Sequence, residues 1–342
     1  MKIKLFLVFI LAFGTLLFAL NSGPKKIYLT DLTKLFATKL QGKQIPAKLL
    51  LEEKIIFSIR LPRILLAFLV GAMLALSGSV LQNILENPLA DPFLLGISSG
   101  AGFGAALAIL CEISIFPAFF AKAGFFFPSF FALLFSVLTC ALIYFLGVYQ
   151  GKIQPEKLIL AGVALNSLLS TFISLILIFS NKRDMIIFYL MGSLDTYYSY
   201  YILFVLYIIS LFLFLFTFAH ASQMDLLTLG ERKACSMGVE SELCKRKLFF
   251  LSGCMVSLAV SFGGIIGFMG LFIPHIFRSL FGFQHRYLLP LCCFGGGFFL
   301  LFCDTLARTS IPGSEIPVGI FTALVGCPFF LWLLWRKRSV LY

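Results

Sequence analysis

Ten apolar stretches, most of them about as long as a bilayer is thick, recur along the 342 residues of this chain. A helix needs about 20 mostly apolar residues to cross the hydrocarbon layer, where every backbone polar group must be satisfied within its own segment. The stretches fall at 4–20, 60–82, 92–111, 126–148, 158–180, 199–220, 248–267, 270–283, 287–306 and 316–335. The eighth is short for a crossing, so it is expected to tilt or to be buried in protein. Composition agrees: 60% of the residues are hydrophobic and 12% charged, about half the charged share of a soluble domain. The expected fold class is an all-α polytopic membrane protein of about ten transmembrane helices, one transmembrane domain over residues 1–342.

The formal charge of +12 does not point to nucleic acid, because the basic residues sit in short runs between apolar stretches, where they anchor helix ends at lipid headgroups. The nine cysteines show no metal-ligand spacing; most, such as Cys111, Cys140, Cys254 and Cys303, lie in or at the ends of apolar stretches as small hydrophobes. His275 also lacks partners at ligand spacing, and no metal or cofactor is expected. There is no G-x-x-x-x-G-K-[ST] loop, so the chain does not hydrolyse ATP by that mechanism and is not expected to be an enzyme.

Residues 1–22 have the basic start, apolar middle and small residues of a secretory signal, but are read here as a retained first helix. Ten crossings put both termini on one side. The basic clusters at 245–247 and 336–338, flush against apolar stretches, place that side inside. The lysine-rich stretch from Lys25 to Arg63 then falls outside, against the same rule, as do Lys122, Lys182, Arg183 and Arg308. Small residues such as Gly71, Ser77, Gly78, Gly162 and Ser167 suit close helix approach.

Several segments carry more detail than a generic membrane helix needs. They are RLPRILLAFLVGAMLALSGSVLQNILENPLADPFLLGISSG at 60–100, GGIIGFMGLFIPHIFRSLFG at 263–282, QHR at 284–286, CDTLAR at 303–308 and EIPVGIFTALVGCPFFLWLL at 315–334. In this order, and together with a polar loop at 224–247, they resemble the FecCD-type permease subunits of ABC importers for iron(III)-siderophore complexes, haem and vitamin B12. The resemblance covers most of residues 60–335. It implies an ABC type II importer permease fold in the cytoplasmic (inner) membrane, multi-pass, with both termini cytoplasmic. It also implies partners: two cytoplasmic ATP-binding subunits, a periplasmic or lipid-anchored substrate-binding protein, and a second permease copy or paralogue. The implied cargo is an iron(III)-siderophore-type chelate, with haem, cobalamin or molybdate as alternatives.

The resemblance also assigns residues. Arg60, Arg63 and Arg308 match arginines that receive glutamates from the binding protein, a task for which the planar guanidinium fork suits a carboxylate. Their structural alternatives are headgroup anchoring for Arg60 and Arg63, and an ion pair with Asp304 for Arg308. Pro62 is expected in the first turn of its helix. The loop 224–247 matches the segment that docks on the ATPase. It reads as helical pieces at 225–229 and 231–237, stopped by Gly230 and Gly238, with Leu226, Leu227, Leu229, Glu231, Ala234 and Met237 as coupling residues. Residues 82–92, with Asn87-Pro88 and Asp91-Pro92, read as a rigid cytoplasmic turn. Asn166, Ser167, Ser170 and Thr322 are the candidate pathway residues; hydrogen bonds between helices are their alternative role. An ion-coupled secondary transporter is the rival class. It is disfavoured because the acids Glu86, Asp91, Asp184, Asp195, Asp304 and Glu315 sit near the ends of the apolar stretches, not at their centres.

Overall fold

A backbone in hydrocarbon has to bond to itself, and each of the ten apolar stretches does so as a helix. The computed structural model describes residues 2–23, 25, 27–41, 46, 49–93, 95–114, 126–194, 198–311 and 314–338. Lys122 and Asp195 lie outside the described residues. The ten helices are α1 (Lys2–Asn21), α3 (Leu50–Ile84), α4 (Ile97–Ser114), α5 (Phe126–Gly147), α6 (Pro155–Phe179), α8 (Tyr200–Ala219), α11 (Ser241–Gly263), α12 (Met269–Phe281), α13 (His285–Thr309) and α14 (Val318–Arg338). Shorter pieces lie between them: α2 (Leu29–Leu40), α7 (Arg183–Leu190), α9 (Ala221–Leu227) and α10 (Glu231–Ser236). A two-residue hairpin, β1 (Val148–Tyr149) against β2 (Lys152–Ile153), links α5 to α6. Among the described residues α3, α6, α8, α13 and the Phe127–Gly147 part of α5 are each long and apolar enough to cross a membrane.

Helix α3 lies at the centre of the bundle, packed along α13, α11 and α12. Its small residues make this possible. A Cβ on Gly71 would stand 2.3 Å from the Gly296 carbonyl oxygen of α13, and one on Gly78 would stand 2.1 Å from that of Gly270 in α12. Backbones meet at these two crossings, where dispersion rather than water exclusion holds membrane helices together.

The structure departs from expectation in where α3 begins. The helix starts at Leu50, and its residues Ile55–Arg60 form a π-helical turn. Pro62 sits in the first turn of the α-helical part, Leu61–Ile84, as expected, although that part continues out of the π-helical turn and is not where the long helix begins.

Two non-helical segments turn inward. The first, residues 85–93 with 95 and 96, overlaps the segment 82–92 expected as a rigid turn. It is folded among the helices, with Ala90, Asp91 and Leu95 buried. Asn87 and Asp91 make it rigid by accepting the Leu89 and Phe93 N–H groups, each at 2.9 Å. The second, residues 264–268, breaks the chain between α11 and α12, with Gly264 and Phe268 at φ 70° and 67°. It shortens α12 to 13 residues, about 20 Å of helix. Irregular backbone in a membrane protein persists where protein or a cavity encloses it, and both segments meet this condition.

Candidate functional site

The alternating chain direction gathers the ends of α1, α3 and α13 at one end of the bundle. There the three sequence-predicted arginines meet. Arg63 on α3 grips Asp304 on α13 with a fork: Nε lies 3.0 Å and 3.2 Å from the two carboxylate oxygens, and Nη2 lies 2.9 Å from Oδ1. Its Nη1 reaches Glu315 at 2.7 Å. Arg308 stands 3.6 Å from the same Asp304 and donates to the Ala19 carbonyl at 2.8 Å. Arg60 donates to the carbonyls of Leu20 and Lys25. Cations that bond the last carbonyls of a helix cap its negative end, and Arg60 and Arg308 do this for α1. The three residues Arg60, Arg63 and Arg308 are only 3%, 8% and 6% exposed. They are thus neither free in water nor set among headgroups. Glu315, about one-third exposed, is the accessible member of the group.

The loop 224–247 lies at the opposite end. Its two glycines sit where only glycine is unstrained, Gly230 at φ 98° and Gly238 at φ 85°. Gly238 closes α10 in a Schellman motif: Val239 N–H bonds to the Ala234 carbonyl and Gly238 N–H to that of Cys235, at 3.1 and 3.0 Å. The apolar residues divide by direction. Leu227 and Ala234 are buried against the rest of the protein, Leu226 is half-buried, and Leu229 and Met237 are exposed.

Polar ties join this loop to three long helices. Asn83 Nδ2, at the end of α3, donates to the Met224 carbonyl at 3.1 Å. Asp225 accepts the backbone N–H of His285 at 2.8 Å and meets its Nδ1 at 2.7 Å, so it caps α13. Lys245 of α11 pairs with Glu231 and lies 3.7 Å from Glu86. The sequence reading placed the 245–247 cluster at the headgroups. Arg246 and Lys247 are indeed exposed, but Lys245 is fully buried. Nothing local in KRK marks which of the three turns inward; the helical rotation of α11 decides it.

Between the two ends is a cavity of about 730 Å³. Leu89, Asp91 and Phe93 of the inward turn, Phe268 and Leu271 beside the helix break, and Gly319 and Ala323 of α14 are among its walls. Burial lifts the Asp91 carboxyl to about 6, with the Phe93 N–H opposing the shift. Of the sequence-predicted pathway residues, Thr322 is buried and donates to the Gly319 carbonyl at 3.0 Å, on the same helix as four wall residues. Asn166 is half-buried where α6 meets Leu95 and Gly96. Ser167 and Ser170 lie on the exposed face of α6, where their carbonyls take the hydroxyls of Thr171 and Ser174.

The sequence reading missed α7 and the residues after it, which wall the cavity through Leu190 and Met191. Backbone bonds tie this stretch to both neighbours: Ile265 N–H to the Tyr189 carbonyl, Val318 to Gly192 and Gly319 to Met191. The available signal was a polar NKRD start followed by an apolar run too short to cross, ending at Gly192.

Comparison with known proteins agrees with this architecture. The model of the FecCD transport family matches residues 9–336. The chain is 39% identical over 287 residues to the hemin transport system permease protein of Yersinia pestis, covering 82% of this chain and 83% of that one. It is 38% identical over 293 residues to the cobalamin import system permease protein of Halobacterium salinarum, with coverages of 84% and 74%. It is 37% identical over 290 residues to the molybdate import system permease protein of Haemophilus influenzae, with coverages of 84% and 82%. A solved metal-chelate type ABC transporter in an inward-facing conformation superposes with a TM-score of 0.82 at 32% identity, covering 98% of this chain and 100% of that one. The chain belongs to the FecCD transport family and is a multi-pass membrane permease subunit of an ABC importer, not an enzyme.

Proposed function

We propose that this permease is half of a paired channel that imports an iron(III)-siderophore-type chelate. A binding protein loads it at the arginine end, and two ATP-binding subunits drive it at the loop end. The loop end and both termini are then cytoplasmic, and the 224–247 loop is the coupling segment of a single transmembrane domain. The observation that carries the cargo reading is the cavity wall. It is mostly apolar, it includes Asp91, and no Lys or Arg is among its described lining residues. Such a wall suits a bulky chelate that presents organic surface around its metal. A small oxyanion would meet a carboxyl there and no cation. The hemin and cobalamin relatives and the metal-chelate transporter support the same direction, and the molybdate relative defines the competing one.

In this reading the exposed serine-bearing face of α6 is covered by the second permease and borders the pathway together with α14. Leu229 and Met237 reach the ATP-binding subunit. The binding protein engages the arginine end by exchange: one of its carboxylates takes the place of Glu315, a partly exposed partner of Arg63.

The test is ATP-driven uptake by the importer reconstituted with its ATP-binding subunits and binding protein. Radiolabelled ferric hydroxamate siderophore, hemin and molybdate are offered in parallel. Accumulation of the ferric siderophore is expected. Accumulation of hemin alone would replace the siderophore by another chelate, and accumulation of molybdate alone would overturn the chelate reading.

A further inference from the structure

Lys245 is a buried lysine whose two acidic neighbours come from different segments. Glu231 opens α10 in the coupling loop, and Glu86 lies in the turn that follows α3. The ammonium is almost wholly enclosed, whereas both carboxylates are about half exposed. A buried ammonium depends on its counter-charges, while half-exposed carboxylates remain solvated without it. Glu86 holds a left-handed backbone, φ 50°, that a non-glycine residue rarely adopts. Three residues further on, Leu89 begins the cavity wall. The coupling loop and the cavity turn thus each present one carboxylate to the same cation.

We propose that Lys245 is a positioning residue that passes movement of the coupling loop to the cavity turn at residues 85–96. The proposal rests on the reading of 224–247 as the segment that meets the ATP-binding subunit. When that subunit shifts α10, Glu231 draws on the ammonium, and Glu86 follows the same charge. Without Lys245, two carboxylates face each other across the gap, so loop and turn repel instead of moving together. Lys245 touches no cargo and no nucleotide; it acts through Glu86.

The test uses the permease with its ATP-binding subunits in proteoliposomes, its nine native cysteines replaced and Leu89→Cys added. The rate of labelling by a membrane-impermeant maleimide is compared without nucleotide and with ATP plus vanadate. In the parent the rate is expected to change by about fivefold or more between the two states. Lys245→Met is expected to lose that change while ATP hydrolysis persists, and Lys245→Arg to restore it. Glu86→Gln breaks only the limb to the turn, at an exposed residue, and is expected to lose it too. A full change in both Lys245→Met and Glu86→Gln overturns the proposal, as does a parent whose turn does not respond. The reading beneath it is tested separately: ATP-binding subunits that still co-purify with a Leu229→Asp, Met237→Asp variant overturn the coupling-loop assignment, whatever the labelling shows.

Discussion

At the scale of single residues, burial decides what each charge does. Asp304 is fully buried between Arg63 and Arg308. Asp304→Asn leaves two enclosed guanidinium groups without their shared carboxylate, an expected loss of about 3–5 kcal/mol, read as a fall in melting temperature of the detergent-solubilised protein. Glu315→Gln removes a partly exposed partner and is expected to cost about 1 kcal/mol or less. It also weakens the hold on Nη1 of Arg63 by replacing a carboxylate with a neutral amide, so titration is expected to show tighter binding-protein docking; weaker docking would rule out carboxylate exchange. Charge reversal at Arg60 or Arg63 is a poorer test, because it also breaks internal bonds. Asp91 gives a pH dependence of known sign. Its folded value of about 6 lies above the ordinary 3.8, so the folded state holds the proton more tightly. Stability therefore falls as pH rises from about 4 to 6 and stays lower above, by about 3 kcal/mol. Melting curves across that range are expected to be flatter for Asp91→Asn. The importance of the arginines was legible in their motifs. Their burial was not, because Asp304 and the α1 carbonyls that enclose them lie far away in the chain.

At the scale of elements, close approach and turn geometry carry the predictions. Gly78→Val places methyl groups where the Gly270 backbone stands, so α3 and α12 must separate. A loss of about 1–3 kcal/mol or more is expected, read by thermal unfolding, whereas Gly14→Ala, with open space around it, is expected to change little. Gly230→Pro or Gly238→Pro forces a negative φ onto a positive-φ turn and removes an N–H that is bonded in both places. Each is expected to raise the ATP hydrolysed per chelate imported; a normal ratio in both would count against the loop's coupling role. The long helices and the two glycine stops were legible because run length and turn chemistry are local. Helix α7, at eight residues, was not, being too short for a period to emerge, and the sequence reading missed α2 although Leu29, Leu32, Leu35, Phe36 and Leu40 recur at helical spacing. In α2, Leu35 is fully buried while Lys34 and Lys39 face outward.

At the scale of the molecule, one chain leaves a face unmatched. Helix α6 exposes Leu160, Leu168 and Leu175 together with Ser167 and Ser170. A cysteine-free chain carrying Ser170→Cys is expected to form dimers with a bifunctional maleimide in membranes; failure to cross-link would place α6 against lipid. By itself the sequence determined where the long apolar helices lie, which segments carry motifs and which family it joins. These follow from the length of apolar runs and from residues close in the chain. Only the tertiary structure decided that the arginines face inward, that residues 85–96 fold into the bundle, and that Lys245 rather than its neighbours meets two acids. Those outcomes depend on the order in which helices pack and on how each is rotated about its axis, and no local stretch of residues specifies either.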